Sequence, residues 1–502
     1  MKLRHLLLAS FAACTFASCS DDSSNGIEIP EENYQMIDAN VSLTATALDG
    51  IQTKGATEEG GDAVLESGSN NEQFINELTA YLFYVDNGVN EDAYKFAAMK
   101  TVTSDGTNSV KTIEDIVVKV KATAAGELSD TQLKVIFLAN TKLATPPSNL
   151  GDVKTAELED LVDFSYVHMG GMRYYVPMFS QIVTIGGGSS YKLLAGTTYD
   201  NWVKGSTAPS IIYTNNAAVG AAHRVIEKTS GAEGWTEKSS SYDPASIPDA
   251  DKIPLTRHVA RVQLQAIDCD FKNNYANASF ELKDVYIANA SNTSLIYADA
   301  EPYSLDNAKA YSHGCSYNRD DYFLVNGSKN VASLHCEMDE GVLIAMTGHS
   351  HSSNLNADGS IDYNAKNWFS FNDQTIRGDE QGRKDMPQFY VFEMKGDKDM
   401  PSDPGKSDTP SGYIQTMLIL RGDWYPKGKT EGLGNDVVKK DRYYRIPIKQ
   451  DAASGIIGVQ RNTIYKIYAT ITGEGSKDPD TSELNACISF SIKVEPWTVI
   501  TQ

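Results

Sequence analysis

Past its first residues, this 502-residue chain has no run of the roughly 18 uncharged apolar residues that a membrane-spanning helix needs, so it is not read as crossing a bilayer by helices. It is poor in basic charge. Lys and Arg number 44 against 66 Asp and Glu, a formal net charge of −22. That field repels phosphate backbones, and no basic patch with interleaved aromatics offsets it, so nucleic acid is excluded as a partner. Sustained 3.6-residue periodicity is scarce, with Glu157 to Val162 one short helical candidate. No period of about 20–50 residues repeats, which disfavours a solenoid or propeller. Nor is there a Gly-x-Ser-x-Gly elbow or a His-Glu-x-x-His pair. The segment Gly422 to Thr430 ends in Gly-Lys-Thr, but five residues separate its glycines where a P-loop needs about four. The chain is therefore read as not an enzyme, with no cofactor.

Cysteine is also sparse. Beyond the N-terminal region only Cys269, Cys315, Cys336 and Cys487 remain, and the sequence leaves their pairing open. The residues His313, Cys315, His335 and Cys336 could form a zinc set, but they lack a Cys-x-x-Cys spacing. In an oxidising compartment a Cys315–Cys336 disulfide or free buried thiols are the plainer readings, and no metal is expected.

What is present begins with a processing signal. Lys2 and Arg4 precede the apolar stretch Leu6 to Phe16, which is too short to span a bilayer of about 30 Å. Phe16-Ala17-Ser18-Cys19 reads as a lipobox, with Cys19 the residue that takes the lipid and becomes the new N-terminus. Ser20-Asp21-Asp22-Ser23-Ser24 resembles the acidic export signal of Bacteroidales surface lipoproteins. Removing residues 1–18 deletes Lys2 and Arg4 and no acid, which takes −22 to −24. The expected location is the cell outer membrane.

Strand-like runs dominate the rest. Leu78 to Val85 is rich in β-branched and aromatic residues and ends in Asp86-Asn87-Gly88. Lys134–Asn140, Val259–Ala266, Phe280–Ala288 and Phe389–Phe392 continue the pattern, followed by Thr416–Leu420, Tyr443–Ile448, Thr463–Ile471 and Cys487–Val494. Short strands separated by Gly, Asn, Asp and Ser clusters predict stacked β-sandwiches, with a domain boundary near 250.

Two strands share one pattern. Val41, Leu43, Ala45 and Ala47 alternate with Ser42, Thr44 and Thr46, giving one apolar and one polar face. Ile488, Phe490, Ile492 and Val494 alternate with Ser489, Ser491, Lys493 and Glu495, before Pro496 and the large anchor Trp497. Between them lies the polar, glycine-rich stretch Ile51 to Gly61, where Lys54 is the first Lys or Arg after Arg4. A trypsin-like enzyme would find one early site there, between Lys54 and Gly55. Cutting at it would remove a strand and open an apolar groove. A matching strand from another copy could fill that groove and propagate head to tail. On pattern alone, both could equally be ordinary core strands of a monomer.

Several further runs carry a resemblance. Tyr443-Tyr-Arg-Ile-Pro-Ile448, Arg461-Asn-Thr-Ile-Tyr-Lys-Ile467, Gly473 and the closing Val494-Glu-Pro-Trp497 resemble the C-terminal signature of fimbrillins, the FimA/Mfa-type subunits of type V pili in Bacteroidales. Tyr175 to Phe179, Leu255 to Val262, Phe137 to Asn140 and Asp284 to Asn289 add to it in family order. The resemblance implies an all-β fold of two transthyretin-like β-sandwich domains in tandem. Residues 1–18 would be a signal peptide and 19–54 a propeptide, with domains at 55–250 and 251–502. It also implies lipidation at Cys19, maturation between Lys54 and Gly55, and loss of the strand bearing Val41, Leu43, Ala45 and Ala47. The donor strand, about 485–502, would carry Ile488, Phe490, Ile492, Val494 and Trp497. Implied partners are other copies in a filament, tip and anchor subunits, a trypsin-like or gingipain-like protease, and the outer membrane before cleavage. The mature location would be an extracellular fimbrium supporting adhesion. The early basic site and intact terminal strand favour a stalk subunit over an anchor or tip. Cleavage removes seven acids and one Lys more, leaving −18.

Two other binding readings are weaker. Asn354-Leu-Asn-Ala-Asp-Gly359 starts like a calcium loop, but Ala365 stands where the bidentate Glu belongs, so a polar turn is expected. His349 and His351 beside it are expected to be solvated. Of the Arg-Gly-Asp triplets at 377–379 and 421–423, the second is read as the turn after a strand. The competing function classes are a surface glycan-binding lipoprotein of the SusD type and an outer-membrane hydrolase. The former is built on helical repeats that this sequence does not supply.

Overall fold

The computed structural model describes residues 35–47, 74–122, 132–159, 175–185, 212–213, 226–228, 235–237, 252–288, 290, 293–297, 335–345, 351–365, 368–370, 387–395, 416–429, 437–448, 458–477 and 487–496. Nearly every regular element is a strand. In chain order the first group is β1 (Gln35–Ala47), β2 (Glu77–Tyr84), β3 (Phe96–Thr103), β4 (Thr112–Ala122) and β5 (Leu133–Ala139). After them come helix α1 (Leu150–Thr155), β6 (Glu157–Glu159), β7 (Met178–Ser180) and β8 (Val183–Ile185). The group closes with β9 (Ile212–Tyr213), β10 (Ile226–Lys228), β11 (Trp235–Glu237) and β12 (Ile253–Arg257). The helix precedes the expected position: Asn149 and Asp152 cap it reciprocally, and Glu157–Glu159 is a strand instead.

Nine of these strands form one sheet in the order β3-β2-β5-β7-β12-β1-β4, with β8 on β5 and β9 on β1, while β10 and β11 pair with each other and β6 pairs outside the group. The inner residues of the sheet close on themselves. Leu78, Ala80 and Leu82 of β2, Val135 and Phe137 of β5 and Leu255 of β12 share a core with Leu43 and Ala45 of β1 and Ile113, Ile116 and Val118 of β4. Strand β12 lies beyond residue 250 yet pairs with β7 and β1, so the chain leaves this sheet only after Arg257.

The second group is β13 (Val259–Cys269), β14 (Ser279–Ala288), β15 (Thr293–Leu295), β16 (His335–Ala345), β17 (Phe369–Ser370) and β18 (Gln388–Phe392). It continues with β19 (Met394–Lys395), β20 (Met417–Tyr425), β21 (Lys439–Pro447), β22 (Gly458–Val459), β23 (Thr463–Ile471) and β24 (Ile488–Pro496). One sheet runs β17-β13-β23-β24 with β18 on β13, and the other runs β16-β14-β20-β21. Between them Val262, Leu264 and Ile467 face Phe280, Leu420 and Trp424 in the largest core among the described residues. Alternating strands bury one face each, and two such faces stacked make a sandwich.

The two sheet systems share a third core. Tyr81, Ile136 and Phe179 from the first meet Val259, Tyr390 and Ile464 from the second. Polar ties reinforce it. Asn462, in the left-handed region at φ 55°, accepts 3.0 Å from Arg257 Nη1, and its own N–H donates to the Val259 carbonyl. Asn140, at φ 57°, plays the same role inside the first system. Its Oδ1 accepts from the Asn76 N–H at 2.7 Å, and its Nδ2 donates to the carbonyls of Phe74 and Val176 at 2.8 Å. Asn tolerates this backbone because its short polar side chain bonds locally.

Candidate functional site

The two patterned strands occupy different settings. β1 is embedded: it runs antiparallel to β4 from Gln35↔Ala122 to Thr44↔Thr112, and parallel to β12 through Ala45↔Ile253 to Ala47↔Leu255. Leu43 and Ala45 have no exposed surface. Val41 and Ala47 stand at the positions the alternation assigns, Val41 opposite Ile116 and Ala47 opposite Leu255, and their side chains lie outside the described residues. The register with β4 shifts between Val41 and Leu43, where β1 advances two residues while β4 moves three, from Ile116 to Ile113. Strand β4 pairs only with β1 among the described residues, so β1 is what joins it to the rest of the sheet.

β24 is peripheral. It pairs antiparallel with β23 along its whole length, from Thr463↔Pro496 to Ile471↔Ile488, and with no other strand among the described residues. Ile488 is buried, whereas Phe490, Ile492 and Val494 are only partly buried against the large core. Its apolar residues thus face one way, as the alternation required, but the hold weakens along the strand. Cys19, Lys54, Gly55 and Trp497 lie outside the described residues.

The other sequence readings resolve as follows. The Arg-Gly-Asp triplet at 421–423 is not a turn but lies within β20. Arg421 is ion-paired with Asp284, and Asp423 accepts from Lys283 Nζ at 2.6 Å, so its charges are engaged within the sheet. The triplet at 377–379 lies outside the described residues. Lys429 of the Gly-Lys-Thr run pairs with Glu281 at 2.5 Å. In the loop at 354–359, Asp358 accepts from the backbone and hydroxyl of Ser360 and Asn356 bonds to Ser360 and Ile361, which makes a polar turn. His351 is partly buried and engaged rather than free: its Nδ1 sits 2.7 Å from Oδ2 of the buried Asp268. Cys269 and Cys487 are free thiols. Burial, then Asp268, pushes the Cys269 thiol well up, and burial, then Glu474, raises that of Cys487. Cys315 and the side chain of Cys336 lie outside the described residues.

Sequence reasoning missed the polar cluster at the junction of the two systems. His258 is completely enclosed, its ring 4.8 Å from that of Phe179. Arg461 lies over the same Phe179 ring, 5.1 Å from its centre, and forms a buried ion pair with Glu393 at 3.0 Å. Burial, and then the charge of Arg461, holds the His258 imidazole well below its usual range. The runs around Phe179, His258 and Arg461 were read only as signature elements, and the signal they carried was structural.

Of the two strands with the same alternation, one is therefore embedded in a core and the other lies at a sheet edge. Residues 39–247 match the family described as Major fimbrial subunit protein (FimA). No curated protein matches. Among solved structures, the chain is similar to a fimbrilin (FimA) from Porphyromonas gingivalis at 16% identity, covering 92% of this chain and 99% of that one with a TM-score of 0.46. A protein provisionally assigned to cell adhesion from Parabacteroides distasonis is 18% identical, with 92% and 100% covered and a TM-score of 0.47. The tip fimbrial protein Mfa3 from Porphyromonas gingivalis is 11% identical, with 92% and 100% covered and a TM-score of 0.40.

Proposed function

We propose that this pilus subunit is exported as a lipoprotein on Cys19, matured by cleavage between Lys54 and Gly55, and polymerised by strand exchange into an extracellular fimbrium that supports adhesion. The observation that carries this reading is the contrast between β1 and β24. β1 supplies Leu43 and Ala45 to the closed core and pairs β4, so its loss would open a slot with unpaired backbone and an apolar floor. β24 repeats the alternation of β1 on a half-buried edge strand, with Ile488, Phe490, Ile492 and Val494 on one side. Seated in the slot of another copy, it would bury those side chains more fully, at about 25 cal/mol per Å² gained. The contact is heterologous and open, and therefore grows a filament.

In this reading the two sheet systems are tandem sandwiches of the transthyretin-like kind, dividing between Arg257 and Val259. The partners are other copies, tip and anchor subunits, and a Lys-cleaving protease of the trypsin or gingipain kind. The outer membrane holds the precursor through its lipid until cleavage. Limited trypsin treatment of the mature chain, with the new N-terminus identified by mass spectrometry, tests this. Cleavage after Lys54 followed by oligomer ladders that vanish on deletion of residues 485–502 is the expected result. A cut protein that stays monomeric would overturn strand exchange.

A further inference from the structure

The outer face of the sheet β17-β13-β23-β24 has an unusual cover. Every residue of β13 and of β23 is buried, although such a sheet has only one face toward the core. Residues 351–365 supply part of the cover. Their foot is Asp268 of β13, whose Oδ2 meets His351 Nδ1 at 2.7 Å and Asn354 Nδ2 at 2.8 Å. Their body is braced internally: the Asp362 N–H donates to the Asn354 carbonyl, and Trp368 Nε1 donates to the Asp362 carbonyl at 2.9 Å. Their tip reaches β24. The Tyr363 hydroxyl and Ser491 Oγ share a hydrogen bond, and Lys493 Nζ lies 5.9 Å from the Tyr363 ring centre. The same ring packs edge-on against Tyr468 of β23, with centroids 4.6 Å apart. Since Ala266, Tyr468 and Ser491 lie in one row across the sheet, Tyr363 sits over the β23–β24 boundary.

We infer that residues 351–365 form a latch that holds β24 in its own subunit through Tyr363 and is fastened to the sheet at Asp268. This rests on the strand-exchange reading above and adds its control. A donor strand must be held before assembly, or it would leave its core exposed, and it must be releasable afterwards. The inner apolar side of β24 serves both states, whereas its polar side, Ser491 and Lys493, is gripped only while the strand is at home. The grip is polar and directional, so it can be broken without unpacking the core between the two sheets.

The test is hydrogen exchange on the full mature chain before cleavage, read at the amides of residues 488–496, with β14 and β20 as internal reference. Tyr363→Phe and Ser491→Ala should each speed exchange in β24 about fivefold, the net contribution of one hydrogen bond. The double variant should be no faster than either single one, because both remove the same contact. His351→Ala, which loosens the foot two strands away, should also speed β24. Unchanged β24 exchange in the single variants, multiplicative effects in the double variant, or equal acceleration of β14 and β20 would each overturn the latch. Trypsin-triggered assembly of the same variants separates the two ideas. Faster β24 exchange without any assembly leaves the latch standing and removes strand exchange. Unchanged β24 exchange removes the latch whatever the filament does.

Discussion

At the residue scale, His258 is the most consequential side chain. Its ring is enclosed at the junction, and neither ring nitrogen has a hydrogen-bond partner among the described residues. Folding therefore selects the neutral imidazole, while the unfolded chain protonates near the usual 6.5. The unfolded state binds more protons below that value, so this contribution to stability is complete above about pH 6.5 and is lost as pH falls toward the depressed folded value. The melting temperature should fall between about pH 7.5 and about pH 5.5, and His258→Gln should flatten that slope, measured by thermal scans across the range. A variant with the wild-type slope would refute this. Glu474 acts in a lower window. Burial would raise its carboxyl, but the bonds from Lys439 and Arg442 outweigh that and hold it below the usual 4.5. Its share is present above that value and lost as pH falls through the folded one. Gly422 illustrates a different constraint: a Cβ there would lie 2.1 Å from the Glu281 carbonyl oxygen. Gly422→Ala should cost at least about 2 kcal/mol in urea unfolding.

At the element scale, β1 and β24 invite matched perturbations. Leu43→Ala should destabilise the uncleaved chain by about 2–5 kcal/mol, the usual result of emptying a closed core site. After cleavage the same variant should match the cleaved wild type, since the residue would leave with the strand. Ile492→Ser should barely change the stability of the uncleaved chain, by about 1 kcal/mol for a half-buried position, yet slow oligomer growth. If Leu43→Ala still destabilises the cleaved protein, β1 has stayed in place. The strands themselves were legible: Thr463–Ile471 was read with the boundaries β23 shows, and β2, β5, β14 and β18 within a residue or two. The covers were not. Gln263, Gln265 and Asp268 on β13 are polar, yet the structure buries all three. Asp268 is engaged by residues more than eighty positions downstream, too far for any local pattern to report. His351 was misread for the same reason. The triplet at 421–423 was misread because the strand was read as ending at Leu420, whereas β20 runs on to Tyr425. Here it is the glycine that lets β20 pass close to the Glu281 backbone, with each charge paired across the sheet.

At the scale of the molecule, the shared core of Tyr81, Phe179, Val259 and Ile464 couples the two sheet systems. The mature chain should unfold in a single calorimetric transition. Glu393→Gln would leave Arg461, only 6% exposed, without its ion-pair partner in that core. It should lower stability by about 3–5 kcal/mol, and an unchanged melting temperature would show that the junction contributes nothing.

By itself the sequence determined the all-β class, the acidic surface, the places of most strands and which side of β1 and β24 is apolar. Each follows from local chemistry: composition sets charge, and a period of two sets the faces of a strand. Tertiary structure alone decided which strand each one pairs with, that β1 is embedded while β24 lies at an edge, and that His258 and Asp268 are enclosed. Those outcomes depend on contacts between residues far apart in the chain, where the same alternating pattern fits many partners and only the packing of the whole selects one.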